Sequence, residues 1–190
     1  MSAFMAGNKC AVFLDRDGTI IEEKEYLHRP EKVVIFPGVG PALRALQDAG
    51  FALIMVTNQS GIGRGYFSVA DMENVHRHLL GLLAADGVSF AAIYHAPESP
   101  DQPSRGRKPS PQFLFDARDA LGIDLARSYM IGDKLIDVEC GWNAGVAKSL
   151  LVRTGYGAEW EKKSPEKLGP AIVVDDLPAA ARWILGPSAV

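Results

Sequence analysis

Short apolar runs alternate with amphipathic stretches along the whole chain. Residues 10–14, 52–56, 91–94, 129–131, 149–152 and 171–174 are apolar runs of strand length and read as buried strands. The first has polar residues on either side, as expected of a strand covered on both faces. Helical spacing fills the gaps. Over 40–49, Leu43 and Leu46 share a face, and Gly50 follows as a C-cap. Over 68–85, Ser68 is the N-cap with Asp71 three residues on, and Met72, Val75, Leu79, Leu82 and Leu83 form one stripe. Residues 111–121, 137–144 and 177–185 read as shorter helices. This strand–helix alternation predicts an α/β fold: a Rossmann-like parallel sheet with helices on both faces. The irregular stretch 97–109 and the polar segment 156–169 read as long loops, which in compact domains are often functional. No repeat, low-complexity block or linker interrupts the pattern, so residues 1–190 are read as one domain.

Composition narrows the function classes. The 190 residues are 47% hydrophobic and 23% charged, enough to bury a core without disulfides or metals. A net charge of −3 excludes a general nucleic-acid binder but leaves room for a small anionic ligand held by local cations. No apolar run approaches the roughly 18 residues that span a bilayer. Residues 1–5 lack the charged and apolar regions of a signal peptide. The expected setting is cytoplasmic, with no membrane partner, no nucleic acid and a monomeric chain. Cys10 and Cys140 are expected to be reduced, buried thiols.

The chemistry is concentrated where strands end. The run at 10–14 leads into Asp15-Arg16-Asp17-Gly18-Thr19, and 52–56 leads into Thr57-Asn58-Gln59-Ser60-Gly61. The third strand opens the loop ending in Arg107-Lys108-Pro109, and 129–131 leads into Gly132-Asp133-Lys134, with Asp137 beyond. Ligands of open parallel sheets sit at the carboxyl ends of the strands, so the four clusters converge on one mouth. There, the Asp15 carboxylate can attack phosphorus and carry the phosphoryl group as an acyl phosphate. Asp17 can protonate the departing alcohol and then take a proton from water. Gly18 allows a tight turn beside the phosphate. So many anionic groups need a cation, and Mg²⁺ fits carboxylates, phosphate and water, with Asp133 as the distant carboxylate. Lys108 adds positive charge, Thr57 a hydroxyl and backbone N–H, and Arg107 a bidentate clamp.

These motifs, in this order, resemble the haloacid dehalogenase superfamily of phosphatases. More narrowly, Phe13 to Ile20, Thr57 to Gly65, Arg107-Lys108-Pro109 and Leu151-Val152-Arg153-Thr154-Gly155 resemble the heptose bisphosphate phosphatases, which release the C7 phosphate of D-glycero-manno-heptose 1,7-bisphosphate. The histidinol-phosphate phosphatases share most of these motifs and are the nearest alternative; a non-catalytic scaffold of the same fold is the other. The Arg-Lys-Pro and Leu-Val-Arg-Thr-Gly runs favour the heptose enzymes. A scaffold typically lacks a motif carboxylate, and Asp15, Asp17 and Asp133 are all here.

The resemblance implies Asp15 as nucleophile and Asp17 as general acid and base. It implies Mg²⁺ held by the Asp15 carboxylate, the Asp17 carbonyl and Asp133. It places Thr57, Asn58, Gln59, Ser60, Tyr26, Arg107, Lys108 and Lys134 around the phosphorylated sugar. Relatives usually carry a zinc loop of cysteines and a histidine before Arg-Lys-Pro. In this chain 95–106 holds His95 and no cysteine, so no zinc is expected. The spacing between Asp17 and Thr57 is about helix-plus-loop length, and no cap domain is expected. For Asp137 the expected role is to cap its helix and buttress Lys108 or Lys134 rather than to hold metal. His28, His76 and His78 read as surface residues, and Arg153 as structural.

Overall fold

The computed structural model describes residues 9–186, so the leaderless reading of residues 1–5 lies outside the described residues. Six strands are formed: β1 (Ala11–Leu14), β2 (Ala52–Asn58), β3 (Ala92–Ala96), β4 (Tyr129–Gly132), β5 (Lys148–Val152) and β6 (Ile172–Val174). All pair in parallel, in the order β3-β2-β1-β4-β5-β6. Chain order reverses between β1 and β4, which opens a crevice beyond the carboxyl ends of those two strands. Among the described residues six α-helices lie between the strands and a seventh follows β6: α1 (Val39–Asp48), α2 (Ser60–Gly63), α3 (Val69–Ala84), α4 (Gln112–Leu121), α5 (Leu135–Ala144), α6 (Gly157–Lys163) and α7 (Leu177–Leu185).

The two-residue period of the strands divides the core. Val12 and Leu14 of β1, with Leu53 and Met55 of β2, pack beneath α1, α3 and α7. Ala11, Phe13, Ile54 and Val56 point the other way, against Leu114 and Ala117 of α4 and Cys140 of α5. Helices therefore cover both faces, and each central strand reads as a continuous apolar run. No inserted cap lies between the motif loops among the described residues. No helix there is long and apolar enough to cross a membrane.

The α3 start is as the sequence implies. The Ser68 hydroxyl accepts from the Asp71 N–H at 3.2 Å, and the Asp71 carboxylate accepts from the Ser68 N–H at 2.8 Å. Segment 156–169 is different: it holds α6 and a 3-10 turn (Pro165–Leu168) rather than a loop. Its own apolar residues are too few to show a period. Trp160 and buried Leu168 pack with Trp142 of α5, a partner that only the tertiary fold supplies. Cys10 is half-buried and lies just before β1; Cys140 is buried, and burial pushes its thiol up to about 12.

His76 corrects the surface assignment. It belongs to the inner face of α3, is 7% exposed, and its Nε2 has no protein partner. Burial first, then the charge of Arg16, lower its pKa to about 3, while His28 and His78 remain partly or fully open. The unfolded chain therefore binds a proton that the folded chain refuses, so stability falls as pH drops below the unfolded value of about 6.5. Between pH 7 and pH 5 this one group costs about 2 kcal/mol. A His76→Leu variant is expected to lose that much less stability over the same interval, read from urea unfolding at the two pH values. Equal losses in parent and variant would refute the assignment.

Candidate active site

Asp15 follows β1 directly, and its backbone N–H donates to the Ile131 carbonyl of β4 at 3.0 Å, tying the two strand ends together. Asp133 follows β4. Its Oδ2 accepts from the Tyr156 N–H at 2.9 Å, while Oδ1 is buried without a partner. Two glycines make the approach possible. Gly18 (φ 79°) and Gly155 (φ 56°) have left-handed backbones, and a Cβ on either would collide with the Asp133 carboxylate. The Thr154 hydroxyl donates to the Gly18 carbonyl at 2.7 Å, holding this second loop against the first.

Lys108 is the charge centre. It is 2% exposed, and its Nζ lies 2.8 Å from Asp15 Oδ1 and 2.5 Å from Asp137 Oδ1. Burial pulls the ammonium pKa down, but Asp137 and Asp15 outweigh it and hold the charge on. The other Asp137 oxygen accepts the Lys134 N–H at 2.9 Å, capping α5 as the sequence reading has it. Burial, partly offset by Lys108, raises Asp137 to about 6.

Asp15, Asp133 and Asp137 each present a carboxylate oxygen within 4.8 Å of the others, and all three are buried. Asp133 is pushed up to about 8, by burial and then by the Asp15 and Asp137 charges, with Lys134 opposing. The orphaned Asp133 Oδ1 and this excess of negative charge suit a divalent metal. Lys108 and the α5 cap already engage both oxygens of Asp137, so Asp15 and Asp133 are the carboxylates left for it.

Above them opens a cleft of about 240 Å³, lined among others by Asp15, Asp17, Tyr26, Ser60, Lys108 and Lys134. Thr57 and Asp133 are fully buried residues beneath it. Tyr26 is 40% exposed and takes a left-handed backbone (φ 58°). Its carbonyl accepts from or faces His28 Nδ1 at 2.9 Å, and its ring meets Tyr66 edge-on, with centroids 4.6 Å apart. Lys134 reaches Glu23 at 2.9 Å and lies 4.7 Å over the Tyr156 ring. Burial lowers its pKa, but Asp133, Asp15 and Glu23 together raise it.

Three residues predicted to contact substrate make hydrogen bonds within the protein, and two of them, Asn58 and Gln59, also line the cleft. Asn58 exchanges two hydrogen bonds with the Lys108 backbone, at 3.0 and 3.1 Å, and so fixes the lysine's position. Gln59 is buried, and its amide binds Arg16, Asp17 and Thr57. Arg107 is half-buried and donates to the Glu98 carbonyl at 3.1 Å, outside the cleft lining. The cysteine-free loop before it is held by hydrogen bonds. Ser99 N–H donates to Gln102 at 2.9 Å, Ser104 Oγ to Glu98 at 2.6 Å, and Arg107 N–H to Ser104 Oγ at 3.2 Å. Arg105 pairs with Asp116 of α4. Sequence reasoning assigned no role to Arg16 or Tyr156. A large charged residue between two site aspartates was the available signal for Arg16; nothing local marks Tyr156.

A family model described as HAD-hydrolase-like matches residues 106–180. The D-glycero-beta-D-manno-heptose-1,7-bisphosphate 7-phosphatase of Escherichia coli strain K12 is 40% identical over 190 residues, which is 92% of this chain and all of that one. The protein of the same name from Haemophilus ducreyi is 44% identical over 165 residues, covering 82% of this chain and 91% of its own. Among solved structures, the D,D-heptose 1,7-bisphosphate phosphatase of B. bronchiseptica, crystallised with magnesium and phosphate, superposes with a TM-score of 0.85 at 30% identity, covering 93% of this chain and 98% of that one.

Proposed function

Because the chain belongs to the heptose bisphosphate phosphatases of the haloacid dehalogenase superfamily, we propose that it hydrolyses the C7 phosphate of D-glycero-manno-heptose 1,7-bisphosphate through an aspartyl phosphate on Asp15. The observation that carries this reading is the Asp15 carboxylate at the end of β1, buried against Lys108 and beside the unpartnered oxygen of Asp133.

An Asp15 carboxylate oxygen attacks phosphorus in line, and the bond from phosphorus to the sugar oxygen breaks. Asp17 donates its proton to that oxygen as the sugar leaves. Asp17 then takes a proton from water as the water attacks the phosphoryl group on Asp15, releasing phosphate and restoring the carboxylate. Lys108 keeps its charge beside Asp15 throughout, with Asp137 holding it from behind and Asn58 fixing its backbone. The Asp15 carboxylate, the Asp17 carbonyl and Asp133 would hold Mg²⁺, which when bound would supply positive charge that lessens the repulsion between Asp15 and an incoming phosphate dianion. Ser60, Tyr26 and Lys134 line the cleft where the rest of the sugar would lie, with Asn58 and Gln59 also in its wall; buried Thr57 would offer a phosphate contact, and Arg107, outside the lining, would reach only a distal part of the substrate. The reading takes residues 1–190 as one catalytic domain, a cytoplasmic monomer, with no zinc in the loop from His95 to Gly106.

Phosphate release with Mg²⁺ is expected to favour heptose 1,7-bisphosphate over histidinol phosphate by at least about tenfold in kcat/KM, a difference of about 1.4 kcal/mol. The reverse preference would overturn the substrate. In the absence of substrate, Mg²⁺ at about a hundred times its Kd is expected to stabilise the protein by about 2.7 kcal/mol. An Asp133→Asn variant is expected to lose most of that gain in thermal unfolding. Stoichiometric zinc in the purified protein would refute the zinc-free loop.

A further inference from the structure

Arg16 is wholly buried, although it lies between two residues of the site. Burying a guanidinium costs several kcal/mol unless its partners are well placed. Its ion-pair partner is its own neighbour, Asp17. Arg16 Nε donates to Asp17 Oδ2 at 3.0 Å and Nη2 to Oδ1 at 3.0 Å, a two-bond fork across the carboxylate. Gln59 bridges the pair, while Arg16 Nη1 is buried without a partner. Its Oε1 accepts from Arg16 Nη2 at 3.1 Å, and its Nε2 donates to Asp17 Oδ2 at 3.0 Å and to Thr57 Oγ1 at 2.8 Å. The Gln59 N–H donates in turn to the Ala96 carbonyl of β3 at 2.8 Å, so the amide is anchored to the sheet. Asp17 is thus gripped through both oxygens, yet its side chain keeps 15% exposure and lines the cleft. A surface carboxylate near a turn needs no such support.

We propose that Arg16 and Gln59 are positioning residues that aim Asp17 at the leaving-group oxygen. The inference rests on the proposed role of Asp17 as proton donor. It explains why the Gln59 amide is spent inside the protein rather than on the sugar. It also separates two jobs that neighbouring aspartates could confuse: the clamp keeps Asp17 aligned for proton transfer while Lys108 keeps Asp15 aligned for attack. Displacing a catalytic group by about 1 Å can cost about a hundredfold in rate. That loss falls on substrates whose leaving group needs a proton.

The test compares Gln59→Leu, Arg16→Met and Asp17→Asn with the parent on two substrates. Heptose 1,7-bisphosphate expels an alkoxide and needs the proton; p-nitrophenyl phosphate expels a stable phenolate and does not. The kcat/KM value reports phosphoryl transfer to Asp15, free of the later hydrolysis step. The expected result is a fall of about a hundredfold on the sugar for Gln59→Leu and Arg16→Met, at least tenfold greater than the fall on p-nitrophenyl phosphate. Equal falls on both substrates, or none, with Asp17→Asn still selective, overturn the inference alone. An unselective Asp17→Asn overturns the proton-donor role itself and the inference with it. Should Arg16→Met fail to fold, Gln59→Leu decides the matter, since it removes the amide and leaves the buried ion pair in place.

Discussion

Asp15→Asn is expected to remove at least about 10³-fold of kcat, the scale of loss when an enzyme's nucleophile is taken away. The substitution changes one atom of the side chain. It keeps the shape of a 5%-exposed residue, and it leaves Lys108 paired with Asp137 at 2.5 Å. The fold should therefore persist, as circular dichroism and thermal unfolding would show. The decisive measurement is covalent. Parent enzyme quenched in acid during turnover of a ³²P-labelled substrate should retain label that hydroxylamine releases, as an acyl phosphate does. Asp15→Asn should retain none. Activity that survives the substitution would end the aspartyl-phosphate mechanism, whatever the substrate.

Lys108→Met should cost stability as well as activity, because it strands two carboxylates. Asp137 is fully buried, and its Oδ1 has Lys108 as its cation; Asp15 shares the same ammonium at 2.8 Å. Removing one partner of a buried ion pair typically costs about 3–5 kcal/mol, mostly from the charge left behind. Adding Asp137→Asn removes that stranded charge and keeps an oxygen for the Lys134 N–H that begins α5. The double variant is therefore expected to recover about half of the lost stability in urea unfolding, and none of the activity. If Lys108→Met were as stable as the parent, the ion-pair geometry drawn around Asp137 would be wrong.

These two variants also separate what could be read early from what could not. Asp15 was legible by convergence: an Asp-x-Asp pair alone is common in turns, but three further polar clusters follow later strands. Asp137 was legible as a cap because a carboxylate at the start of a predicted helix is well placed for a free N–H; the structure begins α5 two residues earlier and gives it the Lys134 N–H. Its support of a lysine was also expected, as Lys108 or Lys134; that the side-chain ion pair goes to Lys108, 29 positions away, required the fold. Asn58 and Gln59 show the opposite case. Their type and place suggested a position in the site, and both line the cleft, but amides serve backbone and ligand equally well, and their internal partners were not legible. In the fold, one meets the Lys108 backbone and the other Arg16 and Asp17. His76 was misplaced for a related reason. Its place on α3, one residue after the stripe member Val75, was visible, but how wide a face the rest of the fold covers was not.

The linear sequence determined the strand and helix pattern, the parallel sheet, the absence of room for a cap and the carboxylates of the site. Each depends on periodicity, on capping or on a residue type needed at a strand end, and all of these are local. Tertiary structure alone decided the strand order that brings β1 beside β4, the burial of Lys108 between Asp15 and Asp137, and the glycine approach to Asp133. It also decided the helix in 157–163 and the hydrogen bonds that hold the cysteine-free loop. Those features are set by which distant groups share a low-dielectric interior. There a charge must find a partner and a polar atom must find a bond, and the spacing of residues along the chain does not name which ones they meet.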